Sequence, residues 1–413
     1  MEAEMQTFVS EPKDSIGATV VDDGALKDDR PLLKSVSNSA SASISSQNME
    51  ELEKKVAAYV RNDVYGTMGR GELPLQEKLL LGFAILTIVP IRLILAITIL
   101  VVYYLICRLC TLFSVPNRED EQEDFAHMGG WRRNVIVYSG RFLSRAMLFA
   151  FGFYRIPVTC RTPLEKSDHQ IGQNESNNQS EEPGRPGAII SNHVSYIDIL
   201  YHMSSSFPSF VAKRSVGKLP LVGLISKCLG CVFVQRESKS SDFKGVSAIV
   251  TERVKEAHKN KDAPLMMLFP EGTTTNGDYL LPFKTGAFLS GTPVLPVILR
   301  YPYERFSPAW DSISGVRHVV LLLCQFVNHI EVIKLPVYHP SQQEKDDPKL
   351  YANNVRKLMA SEANLLLSDI GLPEKRIYHA ALNGNNSLPT TPYYPVKKEI
   401  ASVDLMRLFH VPA

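Results

Sequence analysis

The sequence predicts an α/β domain with a mainly mixed central sheet, preceded by membrane-embedded helices. Three observations lead there. Over residues 158–371, short apolar runs alternate with stretches of helical periodicity, as strands and helices do in an α/β sheet. Residues 79–114, LLLGFAILTIVPIRLILAITILVVYYLICRLCTLFS, are the most apolar part of the chain, and about 20 such residues make a helix long enough to cross a bilayer. With 413 residues in all, the chain is long enough for a substantial core besides these helices.

Residues 1–50 include the Ser-rich run KSVSNSASASISSQN and few aromatics. They bury too little to offset ordering, so a disordered tail is expected. No basic stretch leads into an apolar core, so a signal peptide is not expected. Residues 51–78 read as a polar, helical lead-in. Within 79–114 no charge occurs from 93 to 107, and Pro90 and Arg92 separate that part from the shorter apolar run before it. Two arrangements fit: one span over 93–112, or a helix–proline–helix pair that dips in and returns. Basic residues flank the segment too evenly to orient it. Residues 131–157 place Arg141 and Arg145 on one helical face among Phe and Leu. That suits an interfacial helix or a second membrane helix, with Trp131, Tyr138 and Tyr154 at the interface.

The domain proper is expected over 158–382. Its strands are expected at 187–191, 231–235, 265–269, 294–299 and 319–326, each a short apolar run. Val246, Ile249, Val250 and Val254 have helical spacing. A later helix is expected from 350 to 370, ended by Gly371 and Pro373. Residues 165–187, rich in Asn, Ser and Glu, read as a mobile insertion, and 383–413 as a loosely ordered tail. The net charge of +2 gives no general attraction to nucleic acid. Of six cysteines only Cys107/Cys110 and Cys228/Cys231 are close, with no second Cys/His pair at zinc-finger spacing. A reducing environment and no metal are expected.

Chemistry concentrates in SNHVSYIDIL, residues 191–200, where a strand gives way to a helix. On a regular helix His193 and Asp198 would point about 140° apart, so they can meet only if the helix begins between them. With Ser195 as N-cap and Asp198 at the third helical position, the pattern is a capping box, and the carboxylate can reach back to the imidazole. A carboxylate on Nδ1–H leaves Nε2 free to take a proton. Taken alone, the stretch fits a plain helix cap as well as a proton-transfer site. It holds no nucleophile beside the base, so the hydroxyl to be activated would belong to a substrate. His202, farther along the helix, is expected to face water.

Three further stretches follow in order: GCVFVQR (230–236), LFPEGTTTNG (268–277) and PVLPVIL (293–299). The first two lie at strand ends, where open α/β sheets place their sites. Together with Asn192, His193 and Asp198 they resemble the four blocks of the PlsC-like glycerophospholipid acyltransferase superfamily. The blocks are NHxxxxD; Gly230 to Arg236; Phe269, Pro270, Glu271 and Gly272; and the strand around Pro296. The resemblance implies a membrane-bound enzyme, resident in the endoplasmic reticulum, that moves an acyl group from acyl-CoA to a lysophospholipid. His193 would be the base and Asp198 its orienter. Glu271, Gly272 and Thr273 would shape the acceptor pocket, and Lys213, Arg236 and Lys284 would offer positive charge to phosphate. No cofactor is implied beyond acyl-CoA as co-substrate. Many lysophosphatidate-acylating members carry an arginine where this chain has Thr274. The chain therefore looks like the branch acting on lysophosphatidylethanolamine and lysophosphatidylcholine, in its plant form without EF-hands. Acylation of lysophosphatidate or glycerol-3-phosphate, and a catalytically silent membrane scaffold, are the alternatives.

Overall fold

The structure, a computed structural model, describes residues 46–119, 122–161, 185–234, 240–310 and 315–382. Helix α1 (Ser46–Lys55) precedes the long α2 (Leu75–Thr111). A small hairpin of β1 (Asn117–Glu119) and β2 (Gln122–Asp124) leads to α3 (Gly130–Ala150). Then come β3 (Val158–Cys160), β4 (Ala188–Ser191), α4 (Ile197–Ser205), β5 (Ser209–Lys213), α5 (Val222–Leu229), β6 (Val232–Val234), α6 (Ser240–Lys259), β7 (Met266–Leu268) and β8 (Tyr279–Leu280). The chain continues through β9 (Val294–Arg300), α7 (Gly315–Cys324), β10 (Glu331–Lys334), α8 (Gln342–Asp346), α9 (Pro348–Ala363), β11 (Leu366–Leu367) and α10 (Leu372–Leu382).

Seven strands form the central sheet in the order β3-β10-β9-β4-β7-β5-β6. Only the β9–β10 pair is antiparallel, so the sheet is mixed and mostly parallel. Strand β4 is central, and all four of its residues are buried, as expected of a strand covered on both faces. Period-2 alternation sorts neighbouring residues to opposite layers. Ile189, Met267 and Val297 join Tyr103 of α2, Ile136 of α3 and Ile197 of α4 in one core. Ile190, Leu268 and Ile298 join Val254 of α6 with Val355 and Met359 of α9 in the other. The result is three layers, with β4 delivering the next residues of the chain to the edge of the sheet.

Several expectations need correction. Residues 319–326 are not a strand: they fall largely within helix α7. An apolar run this short has no period that separates strand from buried helix. Here residues 319–324 are all apolar because they pack to two sides, with Leu322 in the core below the sheet and Leu323 packed against Ala84 and Val89 of α2. The helix expected over 350–370 ends at Ala363, where Asn364 adopts a left-handed cap at φ 54°. Pro373 starts α10 instead of following a finished helix, a place where proline's missing N–H costs nothing. Strands β3, β5 and β10 gave no apolar run strong enough to be expected. Pro296 lies in a central strand, and antiparallel pairing to β10 starts one residue later at Val297.

Of the tail expected over 1–50, residues 46–50 lie in α1, and the rest is outside the described residues, as are 162–184 and 383–413. The lead-in over 51–78 is helical to Lys55 and again from Leu75, where α2 begins, with 3-10 turns between. Of the two arrangements left open for 79–114, the structure has neither a break nor a hairpin within the segment. Helix α2 is continuous, 37 residues long with Pro90 inside it, and is apolar and long enough to cross a membrane.

Candidate active site

Strand β4 ends at Ser191, and the chain crosses the carboxyl edge of the parallel strands before entering α4. Asn192 fixes this crossing. Its amide donates to the carbonyl of Leu299 (2.9 Å) and accepts from the Leu299 N–H (2.8 Å), a side chain continuing the ladder onto β9.

His193 and Asp198 meet, although not through the expected cap. Helix α4 starts at Ile197 with Tyr196 before it, and the Ser195 hydroxyl is buried without a hydrogen-bond partner. The carboxylate does the capping from inside the helix. Asp198 Oδ2 accepts from the N–H groups of Val194 (2.8 Å) and Ser195 (3.0 Å), and from His193 Nδ1 (2.8 Å). Bending the 193–195 backbone around the carboxylate is what brings residues five apart together. The Tyr301 hydroxyl donates to Oδ1. Asp198 is fully buried, and its charge is therefore compensated entirely by hydrogen bonds, as a buried carboxylate requires. Tyr301 follows directly on β9 and was not foreseen. A tyrosine after a strand carries no signal in one sequence. Burial, with the Asp198 carboxylate beside it, pushes the Tyr301 phenol well above its ordinary range, so it remains a donor.

The His193 ring stacks on Phe269, 4.1 Å between centroids and 18° between planes. Its side chain is 21% exposed, and Nε2 makes no hydrogen bond among the described residues. His202 does not face water: it is 2% exposed and packs edge-on with the Phe269 ring, 6.1 Å between centroids. Burial pushes it down to about 3, so it is neutral.

Glu271 anchors the backbone of the base. Oε1 accepts from the His193 N–H (2.8 Å) and Oε2 from the Leu281 N–H (2.9 Å). Four residues on, the Thr275 N–H donates to the His193 carbonyl (2.9 Å). One loop thus holds His193 from both sides, with both Glu271 carboxylate oxygens engaged by backbone N–H groups. Burial outweighs those two bonds and raises the Glu271 carboxyl from 4.5 to about 8. A raised folded value means stability that is present in full below 4.5 and lost as pH rises toward 8. The stability difference between wild type and Glu271→Gln is therefore expected to be larger at pH 5 than at pH 8. Thermal unfolding at the two pH values measures it, and a difference growing with pH would contradict this.

Gly272 has φ +72°, and a Cβ there would lie 3.0 Å from Lys284 Nζ. This glycine lets the lysine lie over the turn that carries Glu271, so Lys284 joins the site, with half-buried Thr273 in the same turn. Pro270 is buried, and its carbonyl accepts from the Lys284 N–H (2.9 Å). Lys213 ends β5, two strands from β4, and is exposed. Arg236 lies outside the described residues. Gly230 is the left-handed cap of α5 at φ +74° and packs on Ala126 and Ser209, where a Cβ would come within 2.5 Å of Ala126. Gly230→Ala is expected to cost at least about 1–2 kcal/mol, and an unchanged melting temperature would contradict that. Thr274 is buried, donating to the Trp310 carbonyl (2.9 Å) and accepting from Lys375 Nζ (2.7 Å). No cluster of three or more His, Cys, Asp or Glu fit to hold a metal occurs among the described residues.

Comparison with known proteins gives a consistent set of relatives. A family model described as Acyltransferase matches residues 172–300. The lysophospholipid acyltransferase LPEAT1 of Arabidopsis thaliana is 67% identical over 87% of this chain and 93% of its own length. The lysophosphatidylcholine acyltransferase 1 of Mus musculus is 33% identical over 71% of this chain and 50% of its own. Among solved structures, the 1-acyl-sn-glycerophosphate (LPA) acyltransferase PlsC of Thermotoga maritima matches at a TM-score of 0.37 and 18% identity, covering 67% of this chain and 100% of that one.

Proposed function

Because the chain belongs to the lysophospholipid acyltransferase family, we propose that it moves the acyl group of acyl-CoA to the free glycerol hydroxyl of a lysophospholipid. Lysophosphatidylethanolamine is the leading acceptor, with lysophosphatidylcholine and other lysophospholipids after it. The observation that carries this is the dyad: His193 Nδ1 lies 2.8 Å from the buried Asp198 carboxylate, and Nε2 is left unbonded at a partly open position.

Nε2 takes the hydroxyl proton as that oxygen attacks the thioester carbonyl carbon. The tetrahedral intermediate collapses by breaking the C–S bond, and the CoA thiolate leaves and recovers a proton from the imidazolium. Base catalysis of this kind contributes on the order of 10²–10⁴ in rate. Asp198 stabilises the imidazolium formed midway. Lys284, with Gly272 and Thr273 in the turn beneath it, faces the acceptor phosphate, while Lys213 offers charge farther out along the sheet edge; Arg236 is a further cation for the phosphate by its place in the motif alone. Thr274 is occupied inside the protein and adds no cation to the pocket, which supports a zwitterionic head group over lysophosphatidate. The enzyme works on the membrane of the endoplasmic reticulum, with α2 and α3 against lipid and no cofactor besides its co-substrate.

The test offers labelled acyl-CoA to microsomes containing the protein, from a host without such activity. Lysophosphatidylethanolamine, lysophosphatidylcholine, lysophosphatidate and glycerol-3-phosphate are the acceptors. Label is expected first in phosphatidylethanolamine. Label chiefly in phosphatidate would overturn the head-group assignment, and label in none would overturn the activity.

A further inference from the structure

We propose that Lys375, on the last helix among the described residues, is a positioning residue for the base. It pins Thr274 within a closed circuit of hydrogen bonds that holds the backbone on the C-terminal side of His193. This rests on the role given to His193 above and adds what keeps the imidazole in place.

The circuit starts at the base. The His193 carbonyl accepts from the Thr275 N–H (2.9 Å), and the next carbonyl, that of Val194, accepts from the Trp310 N–H (2.9 Å). Thr274 joins these two arms. It precedes Thr275 in the chain, and its hydroxyl donates to the Trp310 carbonyl (2.9 Å). The Trp310 ring is itself wedged against Tyr196 and His318, 5.3 Å between centroids in each case. Lys375 Nζ then grips Thr274 at two points, its carbonyl and its hydroxyl, each at 2.7 Å. A single contact would leave the Thr274 side chain free to turn about χ1; two contacts fix the rotamer and the peptide plane together. Both bonds are charge-assisted and both residues are buried, which makes the grip strong.

The residue types fit the task. A hydroxyl can donate and accept at once, and that of Thr274 gives its proton to Trp310 while taking one from Lys375. Valine has nearly the same shape and can do neither. Serine keeps both bonds.

Lys375 is placed by segments from the two ends of the described chain. In the turn that opens α10, the Gly371 N–H donates to Glu374 Oε2 (2.8 Å), and the Gly371 carbonyl accepts from the Tyr59 hydroxyl (2.7 Å). The ammonium lies 5.3 Å from the centroid of the Tyr59 ring, a favourable cation–π position. The same early segment holds the catalytic loop two residues past Thr274. There Asn276 Nδ2 donates to the carbonyls of Ala57 (3.0 Å) and Val60 (2.9 Å). Val56, Leu281, Tyr378 and Leu382 bury together behind this contact. That apolar packing carries the stability of the clasp, and the two Lys375 bonds give it direction. Loss of the ammonium is therefore expected to disturb the placement of His193 more than the fold.

Steady-state kinetics on purified wild type, Lys375→Met, Thr274→Val, Thr274→Ser and His193→Ala test this, with acyl-CoA and lysophosphatidylethanolamine as substrates. Each kcat is divided by the folded fraction at the assay temperature, taken from thermal unfolding. Lys375→Met and Thr274→Val are expected to lower kcat per folded molecule about 10- to 100-fold, as a misplaced base does. The KM for acyl-CoA is expected to stay unchanged, and Thr274→Ser to restore kcat toward wild type. If Lys375→Met does not fold, the two Thr274 variants decide the case. Thr274→Val at wild-type kcat per folded molecule, or Thr274→Ser as impaired as Thr274→Val, would overturn the inference and leave the dyad standing. Wild type without transfer, or His193→Ala as active as wild type, would instead overturn the reading on which it rests.

Discussion

Asp198→Ala is expected to destabilise the protein by about 3–5 kcal/mol and to abolish measurable turnover. The carboxylate is fully buried and accepts from four donors: His193 Nδ1, two backbone N–H groups and the Tyr301 hydroxyl. Alanine leaves the last three buried without a partner, and each orphan costs about 1–3 kcal/mol. Against a typical total of about 5–15 kcal/mol, the loss is large enough to reduce the folded fraction. Asp198→Asn separates chemistry from folding. It keeps the shape and some of the bonds, but its neutral amide cannot stabilise an imidazolium, so kcat is expected to fall on the order of 10²–10⁴ with a smaller shift in melting temperature. Near-native kcat in Asp198→Asn would contradict the role given to the carboxylate.

His193→Ala is expected to behave oppositely, with turnover falling on the order of 10²–10⁴ and the fold retained. The His193 side chain makes one hydrogen bond and one ring stack. The anchoring of the segment runs through its backbone, to Glu271 and Thr275, which alanine keeps. Asp198 loses one donor of four. A melting temperature close to wild type together with lost turnover is the expected pair of results. Lost turnover only in proportion to unfolded protein would show His193 to be structural.

The sequence made parts of this architecture legible and hid others for physical reasons. Strands β4, β7 and β9 sit at the centre of the sheet, and burial on both faces makes them continuous apolar runs that stand out. Strands β3 and β10 lie toward the sheet's far edge, where three or four residues suffice and little burial is demanded of them. Helix α7 reads like a strand because its second half, 319–324, is six consecutive apolar residues, too short a run to show a helical period. In the site, the motif order singled out His193, Asp198 and the Glu271 turn. It gave no view of how they are held. Tyr301, whose hydroxyl completes the Asp198 shell, and Lys375, which reaches Thr274 from α10, are 103 and 101 residues from their partners. Contacts over such distances are created by the fold and have no local pattern. The capping box failed for a local reason: Asp198 has enough donors around its own carboxylate to organise the turn without the Ser195 hydroxyl.

The central claim is that the His193–Asp198 pair activates the substrate's own hydroxyl and no side chain of the protein. Ser195 is two residues from the base, yet its hydroxyl is fully buried and has no hydrogen-bond partner among the described residues. The most direct measurement incubates the purified protein with acyl-labelled CoA thioester and no acceptor, then quenches and counts protein-bound label before and after lysophosphatidylethanolamine is added. The expected result is no label on the protein at any time, and transfer to lipid that begins with the acceptor and is lost in His193→Ala. Stoichiometric label on the protein before the acceptor arrives, discharged when it does, would contradict the account and place a nucleophile within the chain.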